Sequence, residues 1–569
     1  MKKTALTIIL ATIAAVCAYS QSAYDAWQFS ENNYEGTARS VAMGNAFTAL
    51  GGDLGAVSIN PAGSAVAGYT QISFTPSITF STNTAVGVPY EGSTNPYFQN
   101  KMRSSIARGG LPNIGFSFNF DTGRRSGLKN LTIAFVANQT NSWCEDIYAK
   151  GTNTETSFLA AAAADAQAEL EWMNLHKAEG EEDFTANDYL TSNAYDYMNW
   201  KDVVGYRGGL FYAINGDKTK LVGATELVYS GGAHGFEGKL AQQYGRSIIG
   251  SKHEYILNIG GNISDFIYVG LNLGMNTLDY SYSHYFTESP HDNVEEFENI
   301  FTDDKGNEFK TYLNSATYKY NYRAEGTGMF AKLGVIVAPG NGLRVGAAIQ
   351  TPTSTTISEE WQESAETHFT DASFDSWASS DIGAYSYSFS SPWRANFGLA
   401  YTIGNMAIVS ADYEMSNFGT MKYHINKHEM SYDDIDYFEG LNKDIKKTYS
   451  TAHYFRFGTE LKPSSAWAIR AGYNLSTTAQ IKEKVFDYDM EKYIYRPIER
   501  SLRHNVSLGF GYSSPGSFFL DFAARYTLPQ KEYILPYSDY LASTGGALPP
   551  EILSTHSNLK VLLTLGWRF

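Results

Sequence analysis

The sequence predicts an all-β chain: one antiparallel transmembrane β-barrel of up to sixteen strands, with long external loops and an N-terminal hatch plugging its lumen. Three observations lead there. The 569 residues are rich in Tyr (41) and Gly (51) but only 18% are charged. Strand-length alternation of apolar and polar residues recurs along the chain, with short and long connections in turn. No second run of about eighteen apolar residues follows the N-terminal one, which excludes helical spanning. An aromatic content of 15% excludes disorder. A net charge of −16 and a pI near 5.2 exclude a phosphate-binding surface, so no nucleic-acid partner is expected.

Residues 1–20 read as a signal peptide. Met1-Lys2-Lys3 is a basic start, Thr4 to Ala18 is apolar but short for a membrane anchor, and Ala18-Tyr19-Ser20 is a small-x-small cleavage site. Gln21 then begins the exported chain. Cys17 leaves with the peptide, and Ala14-Ala15-Val16 is a poor lipobox. Cys144 remains alone, so neither an intramolecular disulfide nor a cysteine metal cluster can form.

The final strand is the clearest. Leu559, Val561, Leu563, Leu565, Trp567 and Phe569 alternate with Lys560, Leu562, Thr564, Gly566 and Arg568, giving a lipid face that ends in an aromatic girdle. The same period appears in Phe397/Leu399/Tyr401, Ala407/Val409/Ala411, Phe455/Phe457, Trp467/Ile469, Val506/Leu508/Phe510 and Phe518/Leu520/Phe522. Earlier examples are Ile114/Phe116/Phe118, Leu131/Ile133/Phe135, Val269/Leu271/Leu273 and Leu333/Val335/Val337, and the first strand lies near Ile72, Phe74, Ile78 and Phe80. Long polar connections are read at 82–108, 286–313, 357–385, 425–448, 483–500 and 529–555. The pair 203–213 and 219–230 is either a hairpin of the barrel or part of one long loop, 141–250. Within that loop Ser157 to Ala178 reads as a helix, with Leu159, Ala163, Ala166, Leu170 and Met173 on one face. Pro76 removes a ladder donor from the first strand and predicts a bulge or gap. Trp361, Trp377, Trp393, Tyr385 and Tyr387 are assigned to an outer aromatic belt.

Residues 21–68 differ in character from the barrel, 69–569. They are small and apolar, with short helices expected around Gly36 to Leu50, breaks at Gly51-Gly52-Asp53, and a tight turn at Asn60-Pro61-Ala62-Gly63 capped by Asn60. Such a segment ahead of a barrel is read as a plug. Here the sequence resembles a known family. Gly36-Thr37-Ala38-Arg39, Met43-Gly44-Asn45-Ala46-Phe47 and Asn60-Pro61-Ala62-Gly63 look like the hatch of FadL/TodX-type outer-membrane transporters. Ser391-Pro392-Trp393, Gly398 to Tyr401 and Asp412-Tyr413-Glu414 are similar to a later strand pair of that family. The resemblance implies fourteen strands, with 203–230 in an external loop. It also implies passive uptake of long-chain fatty acids or other hydrophobic molecules, gated by the hatch through a side opening near Leu131 to Asn138.

Arg344, Arg394, Arg456, Arg470, Arg525 and Arg568 fall on the lumen side with Asp412, Glu414, Glu460 and Asp521, because charge on the lipid side would cost about 2–4 kcal/mol each. One or two of these arginines either hold a ligand carboxylate or pair with the acids and fix the hatch. Phe330, Phe519 and Ile408 offer apolar lumen surface. The residues assigned to ligand binding and gating are Asn60, Pro61, Ala62, Phe47, Arg344, Arg456 and Arg470. No G-x-S-x-G, H-E-x-x-H or Walker pattern is present, so no enzyme and no cofactor is expected. His424 and His428 lack a third ligand, and the acidic clusters Glu181-Glu182-Asp183, Glu295-Glu296 and Asp303-Asp304 are read as solvated loop acids, so no metal is expected. The expected partners are a long-chain fatty acid or other hydrophobic small molecule, outer-membrane lipid with lipopolysaccharide, and the barrel-assembly machinery through Phe569. The protein is expected to be a monomer in the bacterial outer membrane. The alternatives are a general porin or a surface adhesin, and a membrane-embedded hydrolase.

Overall fold

In the computed structural model the described residues are 22–88, 97–214, 217–228, 234–236, 238–302, 307–428, 430–487, 492–537 and 550–569. The signal peptide and its cleavage site, Asn215-Gly216 and Asp303-Asp304 lie outside them. Fourteen antiparallel strands close into a barrel: β1 (Gln71–Val88), β2 (Met102–Asp121), β3 (Leu128–Asn153), β4 (Leu240–Ile263), β5 (Ile267–Pro290), β6 (Glu308–Gly340), β7 (Leu343–Gln350 continued by Ser354–Phe369), β8 (Gly383–Ser390 continued by Arg394–Ile403), β9 (Ala407–Asn417), β10 (Thr451–Leu461), β11 (Trp467–Thr477), β12 (Leu502–Ser513), β13 (Phe518–Ile534) and β14 (Glu551–Arg568). Closure is made by β14 against β1, from Gln71↔Arg568 to Val88↔Glu551. The Phe569 amide adds a bond to the Thr70 carbonyl at 2.8 Å.

The alternating apolar residues point outward as the period requires. Ile72, Phe74, Phe116, Phe118, Leu273, Leu333, Phe397, Leu399, Phe457, Ile469, Leu508 and Leu559 are all exposed, and together form an apolar band. A continuous exposed band of large apolar residues around a closed barrel is a lipid-facing surface. The opposite set is buried inside.

One open alternative is decided and two expectations are corrected. The pair 203–213 and 219–230 does not enter the barrel: it forms helix Trp200–Arg207 and a separate hairpin, Phe211–Ile214 with Asp217–Gly223. The loops read at 82–108, 286–313 and 357–385 are barrel wall at both ends, since β1 runs to Val88 and β2 starts at Met102, β5 runs to Pro290 and β6 starts at Glu308, and β7 runs to Phe369 and β8 starts at Gly383; β3 to β6 are 26, 24, 24 and 33 residues long. A membrane needs only about 9–11 residues per strand. Above the bilayer the outward side turns polar, so the apolar alternation fades while the hydrogen-bond ladder continues. For the same reason Tyr387 and Tyr385 are not an outer belt. Tyr387 is buried and Tyr385 half-buried, both stacking against Phe438 inside, and Trp361 lies against Trp200. Trp377 is exposed.

The helices all serve the interior. α1 (Ala23–Ser30) and α2 (Ala38–Ala42) belong to the N-terminal segment, which runs inside the barrel and is almost wholly buried. α3 (Phe158–His176) seals the outer mouth. Its N-terminus is capped by Ser157 and by the buried wall carboxylate of Glu288, which accepts from the Phe158 amide at 2.6 Å. Leu159, Ala163, Ala166, Leu170 and Met173 form its buried face, and Phe158 packs on Phe286 at 4.9 Å. α4 (Trp200–Arg207) lies beside it, and α5 (Tyr432–Thr448) covers the upper lumen with Phe438 and Ile445.

Candidate functional site: the hatch and the open seam between β2 and β3

Asn60 is extended (φ −138°, ψ 115°), as a residue before proline should be, and its Oδ1 accepts from the Ala62 amide at 3.0 Å. Pro61 then opens a 3₁₀ turn to Val66. The other end of the Asn60 side chain ties the turn to its surroundings, because Nδ2 donates to the Thr48 carbonyl at 2.6 Å and to the Val335 carbonyl at 3.2 Å. Ala62 is buried against Ala65, Tyr268 and Ile336. Phe47 sits at the centre of a second cluster, with Tyr34, Met43, Leu50, Ile59 and the wall residues Ala400 and Ile408.

The wall receives the hatch through a row of glycines. A methyl group placed on Gly270, Gly334, Gly346, Gly458 or Gly472 would overlap the hatch backbone or side chains at Pro61, Asn60, Thr48, Met43 or Gly44. Lumen donors meet the hatch carbonyls. Asn258 reaches Pro61 at 3.0 Å, Asn272 reaches Val57 at 2.9 Å, Lys332 reaches Ser58 at 2.5 Å and Lys252 reaches Phe29 at 2.9 Å. These residues were not singled out from sequence. Their inward register on β4, β5 and β6 was the signal that would have found them.

The lumen arginines are all engaged. Arg344 donates to the Leu50 carbonyl at 2.7 Å. Arg456 and Arg394 both hold Glu414, at 2.7 and 3.0 Å, and Arg394 also reaches the Ser30 carbonyl at 2.5 Å. Arg470 lies 2.7 Å from Glu460 and 2.5 Å from Asp521, and Glu460 is shared with Arg39 of the hatch at 2.9 Å. Arg525 holds hatch Glu35, and Arg568 stacks over Phe519. Asp412 accepts from the Thr48 amide at 2.7 Å. Phe330 packs on Leu54 and Val57 of the hatch. Arg39–Glu460, Arg525–Glu35, Arg344–Leu50, Arg394–Ser30 and Asp412–Thr48 join hatch to wall, while Arg456–Glu414 and Arg470–Asp521 join wall strands to one another.

Among the described residues, the wall is unpaired along the upper part of the seam between β2 and β3. β2 pairs with β3 only from Asn113↔Asn138 to Asp121↔Asn130. Above that, β2 pairs with β1 alone and β3 with β4 alone, apart from one bridge, Asn100↔Lys150. β3 is bulged between Gln139 and Asn141. On the other side of β2 the register shifts between Thr75 and Ser77, around Pro76 and opposite Pro112, two residues with no amide donor. The expected irregularity at Pro76 lies level with the start of the unpaired stretch, which begins above Asn138; Leu131 to Asn138 itself, where the resemblance implied a side opening, is paired with β2 throughout, so the opening is displaced upward from that expectation. Hatch residues occupy the free edge from inside: the amides of Asn33 and Glu35 donate to the carbonyls of Thr140 and Gln139 at 2.6 and 2.9 Å. The side chains of Ser104 and Arg108 span the seam, the latter reaching the Trp143 and Gly250 carbonyls at 3.2 and 3.0 Å. A recess of about 60 Å³ remains, lined by Arg108, Gly110, Gln139, Ser142, Cys144 and Lys560.

Two of the larger cavities among the described residues lie toward the outer mouth, the first of them against hatch helix α1. One of about 340 Å³ is lined by Tyr24, Asp25, Arg246, Tyr280, Tyr282, Tyr320, Tyr322 and Glu532. The other, about 350 Å³, lies in the external cap between Trp172, Tyr195, Trp200, Trp361, Glu169 and Glu363. Burial pushes the Glu169 and Glu363 carboxyls up to about 7. Among the described residues no cluster of His, Cys, Asp and Glu could hold a metal ion.

The class is thus a transmembrane barrel plugged by its own N-terminal segment and breached at one seam. No protein-family model and no curated protein matches the chain. Among solved structures it is similar to the P. putida toluene transporter TodX (13% identity, 94% of this chain and 99% of that chain, TM-score 0.45). It is also similar to a Pseudomonas aeruginosa FadL homologue (12% identity, 94% and 98%, TM-score 0.46) and to the Ralstonia pickettii toluene transporter TbuX (12% identity, 94% and 99%, TM-score 0.43).

Proposed function

We propose that this protein is a non-enzymatic outer-membrane channel of the FadL/TodX type for passive, hatch-gated uptake of hydrophobic small molecules, with long-chain fatty acids as the ligand class. It works as a monomer, and Phe569 delivers it to the barrel-assembly machinery. One observation carries the reading: the unpaired seam between β2 and β3, at the upper edge of the lipid-facing band, with the hatch edge lying directly behind it. A hydrophobic ligand gains nothing from crossing to water beneath the barrel and gains the full transfer free energy by leaving sideways into lipid. The cap cavity is a first resting place outside the membrane, and the tyrosine-lined cavity is the second. Asn60, Pro61, Ala62 and Phe47 hold the gate's shape. Arg344 locks it to the wall through the Leu50 carbonyl, Arg470 through Glu460, which it shares with hatch Arg39, and Arg456 by lying over the ring of hatch Tyr34 at 5.1 Å. A general porin needs an aqueous path, which a hatch packed against the wall on every side denies.

The test is Gly110→Trp. Gly110 faces the recess beside Ser77 and Gln139, so an indole there would fill the seam. Uptake of a fluorescent long-chain fatty acid and of toluene into cells should fall at unchanged surface abundance, while binding to the purified barrel persists. Undiminished uptake with the seam filled would remove exit through this seam.

A further inference from the structure

We propose that Lys560 and Arg525 form an anion subsite behind the seam, which hatch Glu35 fills in the closed state and a ligand carboxylate takes over, so that headgroup binding itself unlatches the hatch. The proposal rests on the uptake reading above and narrows its ligand to anionic amphiphiles.

Glu35 is 1% exposed, and its carboxylate is held by two wall cations that are themselves buried, Lys560 at 3% and Arg525 at 8%. Arg525 donates to Glu35 Oε1 at 2.7 Å, and the Lys560 ammonium contacts Oε2. Ser142 of β3 donates to Oε1 at 3.1 Å and lies 3.3 Å from Lys560 Nζ, while Gln139 Oε1 lies 3.4 Å from the same nitrogen. Two cations clamp one carboxylate, so the trio carries an excess positive charge in a place where desolvated charge is expensive unless it is paired. That excess suits a second carboxylate arriving, and a full exchange leaves the count unchanged.

Position gives the trio its role. Lys560 also lines the recess in the seam, so one side of the subsite faces the way out. Glu35 is also the residue whose amide bonds the Gln139 carbonyl and whose neighbour Asn33 bonds Thr140. A carboxylate that displaces the Glu35 side chain therefore pulls on the two hatch bonds that cover the open edge of β3. A neutral hydrocarbon has no such lever.

The experiment compares oleate with oleyl alcohol, which share a chain and differ in headgroup. Displacement of a fluorescent fatty acid from the purified, heat-modifiable full-length barrel and uptake into cells are measured for the parent, Lys560→Met, Lys560→Arg and Glu35→Gln. Losing one charged hydrogen bond should weaken oleate about tenfold in Lys560→Met. Oleyl alcohol should be unaffected, Lys560→Arg should restore oleate, and Glu35→Gln should tighten oleate by removing its competitor. Equal losses for both ligands in Lys560→Met, or no change with Glu35→Gln, would make the trio a structural clamp and overturn the proposal while leaving hydrophobic uptake in place. Failure of the parent to bind or import either ligand would overturn both.

Discussion

Replacing Asn60 by Ala should loosen the hatch without unfolding the barrel. The side chain caps the turn through the Ala62 amide, and losing such a cap costs about 1 kcal/mol. It also supplies the 2.6 Å donor to the Thr48 carbonyl, which is left buried and unpaired at a further cost of about 1–3 kcal/mol. Its remaining contacts, to Val335 and Ala347, are to carbonyls of residues facing one another in the β6–β7 ladder. The combined loss, about 2–4 kcal/mol, falls on hatch docking alone and corresponds to a roughly 30- to 900-fold rise in hatch opening. Hydrogen exchange resolved by segment is the assay. Residues 44–66 should lose protection by that factor while the β5, β6 and β14 ladders keep theirs, and saturable fatty-acid uptake should fall at equal surface abundance. Unchanged hatch protection in a folded variant would refute the reasoning, and so would uptake equal to the parent's.

Gly334→Ala should push the turn off its seat by placing a methyl group against Asn60. A cost of about 1–3 kcal/mol is expected, read as faster proteolysis within residues 44–66. Removing Phe569 should lower the yield of inserted barrel. The side chain is 74% exposed, so the thermal midpoint of the barrel that does insert should stay near the parent's. The external cap should weaken as pH rises. Glu169 is raised by burial from its ordinary range near 4.5 to about 7, so the folded cap holds a proton that the opened cap releases. Its stabilisation is complete below about pH 4.5 and is lost by the time pH passes 7. Protection of the α3 amides, corrected for intrinsic exchange, should decline across that window, and Glu169→Gln should flatten the decline. A pH-independent parent would contradict the assignment.

How much was legible in the sequence differs by region for a physical reason. Within the bilayer the solvent is apolar, so every outward position from Ile72 to Trp567 must be apolar and the period of two is written openly; the strands there, their facing, and the inward placement of Arg394, Arg456, Arg470 and Arg525 could be read directly. The turn at Asn60-Pro61-Ala62 was equally legible, because proline and its preceding residue restrict the backbone locally. Above the membrane the outward face of the wall turns polar while its inner face packs aromatic and apolar side chains such as Phe286, Tyr318 and Tyr387, so the lipid-facing period that marks the strands below is lost along β3 to β6, and 203–230 could not be assigned to wall or loop. Pairing across long sequence separation leaves no local mark either. The sequence by itself determined a closed lipid-facing barrel with a small-residue segment ahead of it. Only the tertiary structure decided that the lumen arginines bolt that segment in place, that wall glycines shape its seat, and that β2 and β3 part company above Asn138, because each depends on which distant backbones come within a few ångströms of one another.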